Sequence, residues 1–197
     1  MICQGRRLDP PLNKKGREQA QHLFTGVQVD AIICSPLVRA RETAEIIKES
    51  HPSAKFSVSE NLIEVDFGGA EGLPQPLAAA YLAPTYIAWS QGRLGEKAGG
   101  RGESGAAIRK RAFSAAETLL SACEQGRQVL GVSHSSMLKL TLATLFDVPL
   151  GTIRKVGQDN CAVNALDFDT VSASFEAVLI NNRRFHGRAT LFTPGLP

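Results

Sequence analysis

The chain has 197 residues, 43% of them hydrophobic, which is enough to bury the core of one well-packed domain. Its formal net charge of +3 suits small anionic ligands but is too weak to indicate nucleic-acid binding. Four scattered cysteines show no metal-like or redox-like spacing, so they indicate neither a metal site nor a redox cofactor, and a reducing compartment is expected. Because the start lacks an apolar signal core and no segment reaches the length of a membrane span, we expect a cytoplasmic protein without a membrane partner.

The first part of the chain alternates helix and strand patterns. Asn13 can cap a helix whose apolar face extends to Phe24 and Val27. An apolar strand is expected over 30–34. Ser35 and Pro36 then resemble an N-cap followed by proline at the first helical position, which predicts a helix from there to about residue 50. A second strand is expected over 55–58.

The later part continues the alternation. Residues 61–72 have the composition of a loop, and residues 73–105 resemble an insertion or lid with short helical pieces. A helix that buries Ile108 and Ala112 follows, then a strand over 129–132 with another helix behind it, and two β-like runs over 162–168 and 175–180. This order predicts a single α/β domain over 1–197, a three-layer α/β/α sandwich with a mostly parallel sheet.

His134 stands between the strand of 129–132 and the helix that begins with Ser135 and Ser136. Phosphate groups bind at such junctions, because free backbone N–H groups and the helix dipole both favour anions. A histidine that only caps the helix or packs in the core is the alternative. The position therefore makes His134 a candidate phosphate ligand that other residues must support.

Two further candidates follow strands or lie in the loop. Arg39 lies in the first turns of the helix after 30–34, where its guanidinium can reach an anion above the sheet, although an ion pair with Glu42 is the alternative. Arg41 points to another face and is expected to be solvated. Glu64 is a carboxyl that could protonate a leaving oxygen if its pKa were raised, whereas Asp66 and Glu71 could be plain loop acids.

Six blocks in this order resemble the histidine phosphatase superfamily, in its phosphoglycerate-mutase-like branch. They are Gln4-Gly5-Arg6 through Ala20, Ser35-Pro36-Leu37 through Ala44, Glu64 through Gly72, Gly102-Glu103-Ser104 with Arg111, Val132-Ser133-His134, and Asn160 through Asn164. The resemblance implies that Arg39 binds the transferring phosphoryl group, that His134 stabilises its transition-state charge, and that Glu64 protonates the leaving oxygen. Gln4, Gly5 and Ser135 would complete the phosphate site.

The family's Arg-His-Gly motif, whose histidine accepts the phosphoryl group on a central first strand, is absent from this sequence. His22, His51 and His186 do not stand where they could replace it. Either Met1 is an internal methionine and the natural protein begins upstream with that strand, which we favour, or the short form is a phosphate-binding pseudoenzyme. The chain as it stands is expected to be inactive or severely impaired, with a groove and unpaired backbone groups where the strand would lie.

These features favour a metal-independent phosphatase that acts on a small phosphorylated metabolite through a phosphohistidine. A phosphoglycerate-mutase-type phosphotransferase and an inactive phosphate-binding protein are the rivals. A nucleotide-binding α/β domain is more distant, because 99–105 fits neither a P-loop nor a dinucleotide fingerprint. No nucleic-acid partner is expected, and a homodimer is left open. The basic cluster of Arg183, Arg184, His186 and Arg188 is interpreted as a solvated tail.

Overall fold

A computed structural model describes residues 2–123, 128–169 and 174–182 of the chain. Within them it contains five α-helices and five strands. Their bounds are α1 Lys14–Gln21, β1 Ala31–Cys34, α2 Val38–Ser50, β2 Lys55–Val58, α3 Gln75–Ser90, α4 Gly105–Ala122, β3 Val129–Val132, α5 Ser135–Leu145, β4 Val163–Asp169 and β5 Ser174–Asn182. The basic cluster expected near the end lies outside the described residues.

A three-stranded parallel sheet forms the centre of the fold, with strand order β2-β1-β3. In its register Ile32 pairs with Phe56 on one side and with Leu130 on the other. The α/β class and the parallel sheet predicted from the sequence are thereby confirmed. The two β-like runs expected near the end are also present, but they pair with each other as the antiparallel hairpin β4–β5.

Both faces of the sheet are covered by helices, and β1 shows how. Ile32 and Cys34 pack with Ala44 and Ile47 of α2 in a cluster on one face. Ile33 points the other way and packs with Ala112 of α4 among buried residues on the opposite face. This alternation is what a strand buried in the middle of a three-layer sandwich requires.

The helix α2 begins later than the sequence indicates. Its N-cap is Leu37, and its first residue is Val38, so the predicted cap at Ser35 with a helical Pro36 is wrong. The carboxylate of Asp9 accepts a hydrogen bond of 2.8 Å from the Val38 N–H and caps the helix from a distant segment. Because this cap comes from 29 residues away, local sequence could not reveal it.

Two other helices differ from the sequence expectation in length. Asn13 caps α1 as predicted, through a 2.9 Å bond from Gly16 N–H, but the helix ends at Gln21 and Phe24 adopts a left-handed φ of 59°. In 73–105, where short helical pieces were expected, α3 is one helix of 16 residues that contains Pro84. It helps to form the largest core cluster, in which Trp89 is buried.

None of the helices in the described part of the chain is both long and apolar enough to cross a membrane.

Candidate active site

The ends of β1 and β3 bring two polar side chains together. Ser35 directly follows β1, and His134 is the second residue after β3. The Ser35 hydroxyl oxygen lies 2.7 Å from Nε2 of His134, although the residues are 99 positions apart in sequence. Ser35 is fully enclosed and His134 is 7% exposed, so this contact is shielded from solvent. Carboxyl ends of parallel strands are where open α/β sheets place their ligands.

His134 is held in its neutral form. Burial lowers the pKa of its imidazole to about 3, and the positive charges of Arg39 and then Arg111 act in the same direction. A neutral imidazole carries one N–H donor and one lone pair. Its position as the N-cap residue of α5 matches the strand–histidine–helix order predicted from the sequence, without any side-chain capping bond from His134.

Arg39 is fixed by the loop that precedes α1. Its Nη1 donates to the carbonyl oxygen of Leu8 at 3.0 Å and to Asp9 Oδ1 at 3.3 Å, and its Nη2 donates to the carbonyl oxygen of Gly5 at 3.0 Å. The expected alternative, an ion pair with Glu42, is not formed; Glu42 instead pairs with Arg17. Three N–H groups of the guanidinium are thus used to orient it. The other two, Nε–H and the second N–H of Nη2, make no hydrogen bond to the described residues.

Glu64 occupies the start of α5. Its Oε1 accepts from Met137 N–H at 3.0 Å and from Val65 N–H at 2.8 Å, and its Oε2 accepts from Ser136 N–H at 3.3 Å. Burial raises the pKa of this carboxyl, while those three bonds and the charge of Arg39 act against the increase. The backbone N–H groups behind His134 were expected to bind phosphate, but those of Ser136 and Met137 donate to the Glu64 carboxylate instead. A buried helix start needs such an anion or a cap.

The expectation that Glu71 could be a plain loop acid is wrong. Its Oε1 accepts from the backbone N–H groups of Arg6 and Phe67, and its Oε2 accepts from that of Arg7. The absence of a side chain at Gly5 makes room for this carboxylate, since an added Cβ would overlap it. Glu71 thus holds the segment whose Gly5 carbonyl orients Arg39.

Sequence reasoning missed an ion-pair network behind Glu64. Glu103 pairs with Arg111 at 2.7 Å and with Arg6 at 3.0 Å, and all three side chains are at least partly buried. Arg111 also donates to the carbonyl oxygen of Ile63, and Arg6 to that of Glu64 itself. The spacing of Glu103 and Arg111 was visible in the sequence, but only the fold shows that they brace the Glu64 segment. The start of α4 is capped by Ser104, whose hydroxyl oxygen accepts from Ala107 N–H at 3.2 Å.

The other predicted site residues lie around this centre without contacts that define a role. Gln4 is exposed next to Gly5, and Ser135 is exposed with its hydroxyl 3.5 Å from the carbonyl oxygen of Gln158. Their predicted part in phosphate binding stays a prediction. Arg41 is half-exposed and lies 3.9 Å from Glu45, in agreement with a solvated side chain. In the described ranges, no group of three or more His, Cys, Asp or Glu side chains could hold a metal ion.

Comparison with known proteins places this arrangement in a family. The model of the histidine phosphatase superfamily (branch 1) matches residues 2–182. An adenosylcobalamin/alpha-ribazole phosphatase of Escherichia coli is 29% identical over 90% of this chain and 86% of its own length. A probable phosphoglycerate mutase of Yersinia enterocolitica is 30% identical over 81% of this chain and 74% of its own.

Solved structures agree with this assignment. Bacillus stearothermophilus YhfR has a TM-score of 0.76 and 26% identity, covering 91% of this chain and 88% of its own. The alpha-ribazole phosphatase of Shigella flexneri has a TM-score of 0.74 and 26% identity, covering 95% and 91%. Relatives named as phosphatases and as mutases support a phosphatase-type function. The chain belongs to the histidine phosphatase superfamily, branch 1.

Proposed function

We propose that this chain forms the phosphate-binding and proton-donating part of a phosphatase that acts on a small phosphorylated metabolite. The observation that carries the proposal is the convergence of Arg39, Glu64 and His134 from three separate segments. The charge of Arg39 acts on the pKa of both His134 and Glu64, so the three groups share one electrostatic site. Such a site combines a cationic ligand, a neutral donor and a carboxyl with a raised pKa.

Arg39 would bind the phosphoryl group through the side of its guanidinium that makes no hydrogen bond to the described residues. Two parallel hydrogen bonds from Nε and Nη2 to two phosphoryl oxygens match the planar shape of the guanidinium. The bonds to Gly5, Leu8 and Asp9 on its other side would keep it in place before substrate arrives. Such pre-organisation reduces the entropy that binding costs.

Glu64 would supply the proton that the leaving oxygen needs. Its raised pKa increases the protonated fraction near neutral pH, which suits a general acid. Oε1 already accepts two backbone N–H bonds, whereas Oε2 accepts a single bond of 3.3 Å. Oε2 is therefore the oxygen with room for the proton, and Oε1 keeps the carboxyl anchored on α5.

The chemical step would follow the phosphohistidine route that the family resemblance implies. The phosphoryl group passes to a histidine nitrogen while its bond to the leaving oxygen breaks and Glu64 protonates that oxygen; water then cleaves the phosphorus–nitrogen bond. His134 is poorly suited as the acceptor, because its Nε2 faces Ser35. His51 is engaged through both ring nitrogens with the carbonyl oxygens of Ile47 and Val27. Since the sequence has no Arg-His-Gly, we expect binding to survive and turnover to be severely impaired.

A phosphotransferase of the phosphoglycerate-mutase type is the second candidate. It is favoured by the relative from Yersinia enterocolitica, which is named a probable phosphoglycerate mutase. The two functions differ in the acceptor of the phosphoryl group, which is water for the phosphatase and a second hydroxyl for the mutase. A form of the chain with measurable turnover that converts one phosphoglycerate isomer into another, without releasing inorganic phosphate, would support the mutase.

The test separates binding from turnover. Inorganic phosphate is titrated by calorimetry into the wild-type chain, Arg39→Ala and the matched control Arg41→Ala. We expect Arg39→Ala to weaken binding by about 10- to 100-fold, because charged hydrogen bonds are lost, and Arg41→Ala to stay within about twofold. Equal affinities for all three proteins would contradict the proposed phosphate site.

Hydrolysis of an aryl phosphate by the same proteins tests the nucleophile. We expect negligible release of the aryl alcohol and no acid-labile phosphohistidine on the wild-type chain. Robust turnover of the wild-type chain that His134→Ala abolishes would contradict the expectation that this chain lacks its nucleophile.

A further inference from the structure

Ser35 carries a buried hydroxyl that neither caps a helix nor takes part in the proposed chemistry. It is 0% exposed at the end of β1, and it does not cap α2, which begins three residues later. Burying a hydroxyl without hydrogen bonds is unfavourable, so its partners should be complete. Two groups lie within hydrogen-bond distance of Ser35 Oγ among the described residues, the Leu37 N–H at 3.3 Å and His134 Nε2 at 2.7 Å.

These two partners decide where the Ser35 proton goes. The Leu37 N–H is a donor, so Oγ accepts in this contact and cannot place its own proton there. The Ser35 O–H therefore has one acceptor within reach in the described structure, the lone pair of His134 Nε2. If Nε2 carried a proton instead, the enclosed Ser35 proton would have no acceptor, and the penalty for an unsatisfied buried donor would apply.

The surroundings of the ring exclude the simple alternative of an imidazolium. His134 is buried, and the guanidinium charges of Arg39 and Arg111 oppose a further positive charge beside them, while the Glu64 carboxyl accepts backbone N–H bonds at the start of α5. A neutral imidazole whose Nε2 accepts a hydrogen bond must carry its proton on Nδ1. Nδ1 makes no hydrogen bond to the described residues. Among those residues, Thr144 Oγ1 is the one fully enclosed polar side-chain atom without a hydrogen-bond partner, so Nδ1 is not fully enclosed. Nδ1 thus keeps access to solvent or ligand.

We propose that Ser35 is a positioning residue that holds His134 as the Nδ1–H tautomer, so that a neutral imidazole presents a donor to the phosphoryl oxygens. With the other tautomer, the Nδ1 lone pair would face those oxygens and repel them. The inference rests on the proposed phosphate site, and it assigns to the serine at the end of β1 a function beyond packing.

The first experiment measures the tautomer directly and needs no variant. Nitrogen NMR of the wild-type chain with labelled histidines reports which ring nitrogen of His134 is protonated, with His22 and His51 in the same spectrum as internal references. We expect a protonated Nδ1 and an unprotonated Nε2 at neutral pH. A protonated Nε2 would overturn the inference, whether or not phosphate binds.

The second experiment links the tautomer to binding. Ser35→Ala should let Nε2–H become populated and weaken the affinity for inorganic phosphate by about five- to tenfold. Ser133→Ala is the matched control, because it removes a hydroxyl next to His134 that donates to the Leu62 carbonyl oxygen at 2.7 Å and does not touch the ring. Ser35→Thr retains the hydroxyl and should restore the wild-type tautomer.

The outcomes distinguish this inference from the proposed function. Unchanged phosphate affinity in Ser35→Ala, or an equal loss in Ser133→Ala, would refute the positioning role. A wild-type chain that has the Nδ1–H tautomer but binds no phosphate would instead refute the proposed phosphate site and leave the serine–histidine contact as a structural one.

Discussion

The strands β1 and β3 lie side by side, have similar apolar sequences, and differ in burial. The four residues of β1 are 0–8% exposed, whereas all four residues of β3 are only half-buried. β1 has a strand on each side; β3 has β1 on one side and, among the described residues, no strand on the other. Composition therefore predicts that a segment forms a strand, while the neighbours decide how deeply it is buried.

The candidate site residues at the ends of these strands do not differ in burial as the strands do. Ser35 after β1 and His134 after β3 are both buried, although only β1 is. His134 is held by its contact with Ser35, and Glu64 closes the start of the helix behind it. The candidate site at the end of the less buried strand is thus fixed by residues that come from elsewhere in the sequence.

The largest expected effect is the difference in stability between truncations in the two strands. Ile32→Ala in β1 should lower the free energy of unfolding by about 3 kcal/mol, because it leaves a cavity in a closed core. Leu130→Ala, at the paired position of β3, should lower it by about 1 kcal/mol, since that side chain already contacts solvent. Urea unfolding of both variants checks this. Equal losses would mean that β3 is covered in solution by something that the described residues do not include.

The comparison also shows what could be predicted from the sequence. Short-range signals succeeded: the apolar run of β1, the Asn13 cap, the β2 segment and the strand–histidine–helix order at His134 are all present. They succeeded because each depends on neighbouring residues only. The start of α2 was placed too early because its cap, Asp9, is remote in sequence.

The site was predicted less completely, for the same physical reason. Motif resemblance selected Arg39, Glu64 and His134, and the structure brings them into one electrostatic site. The contacts that orient them come from distant residues whose local patterns indicated other roles. Glu71 resembled a loop acid but binds three backbone N–H groups, and Ser35 resembled a helix cap but contacts the histidine. Long-range hydrogen bonds leave no periodic signal in the sequence.

The next effect in size concerns pH and the buried end of β3. The pKa of His134 is about 3 in the folded chain, against an ordinary value of 6.5, so between these values the unfolded chain binds a proton that the folded chain does not. Stability should therefore decrease as the pH falls below 6.5, by up to about 1.4 kcal/mol per pH unit. The raised pKa of Glu64 acts in the opposite direction, because the folded carboxyl binds its proton more readily.

His134→Asn isolates this contribution, because Glu64 is retained. We expect the difference in unfolding free energy between wild type and His134→Asn to move against the wild type from pH 6.5 to pH 5, by about 1–2 kcal/mol. Urea unfolding at fixed ionic strength measures it. A difference that stays constant over this range would mean that His134 takes up its proton equally in the folded and unfolded chains, and that the fold does not lower its pKa.

The smallest expected effect, and the sharpest test of the comparison, is the hydrogen exchange of single backbone amides. The carbonyl oxygens of Gln128 and Val132 accept from Asp30 and Ser35, so the even-numbered residues of this stretch face β1. In a parallel ladder the alternate residues, among them Gly131, then direct their N–H groups to the other side. In β1 the even-numbered residues face β2 instead, because Lys55 and Ser59 donate to the carbonyl oxygens of Asp30 and Cys34. The odd-numbered residues face β3, so both edges of β1 are paired.

Native-state exchange should therefore be uniform along β1 and alternate along β3. We expect the Gly131 amide to exchange at least about tenfold faster than that of Leu130, whereas the amides of Ile32 and Ile33 should differ little. Slow exchange at Gly131 would show that the second side of β3 is paired in solution, and its loss on dilution would identify another copy of the chain as the partner. Because exchange is read at single residues, it tests the open side of β3 without altering the sequence next to His134.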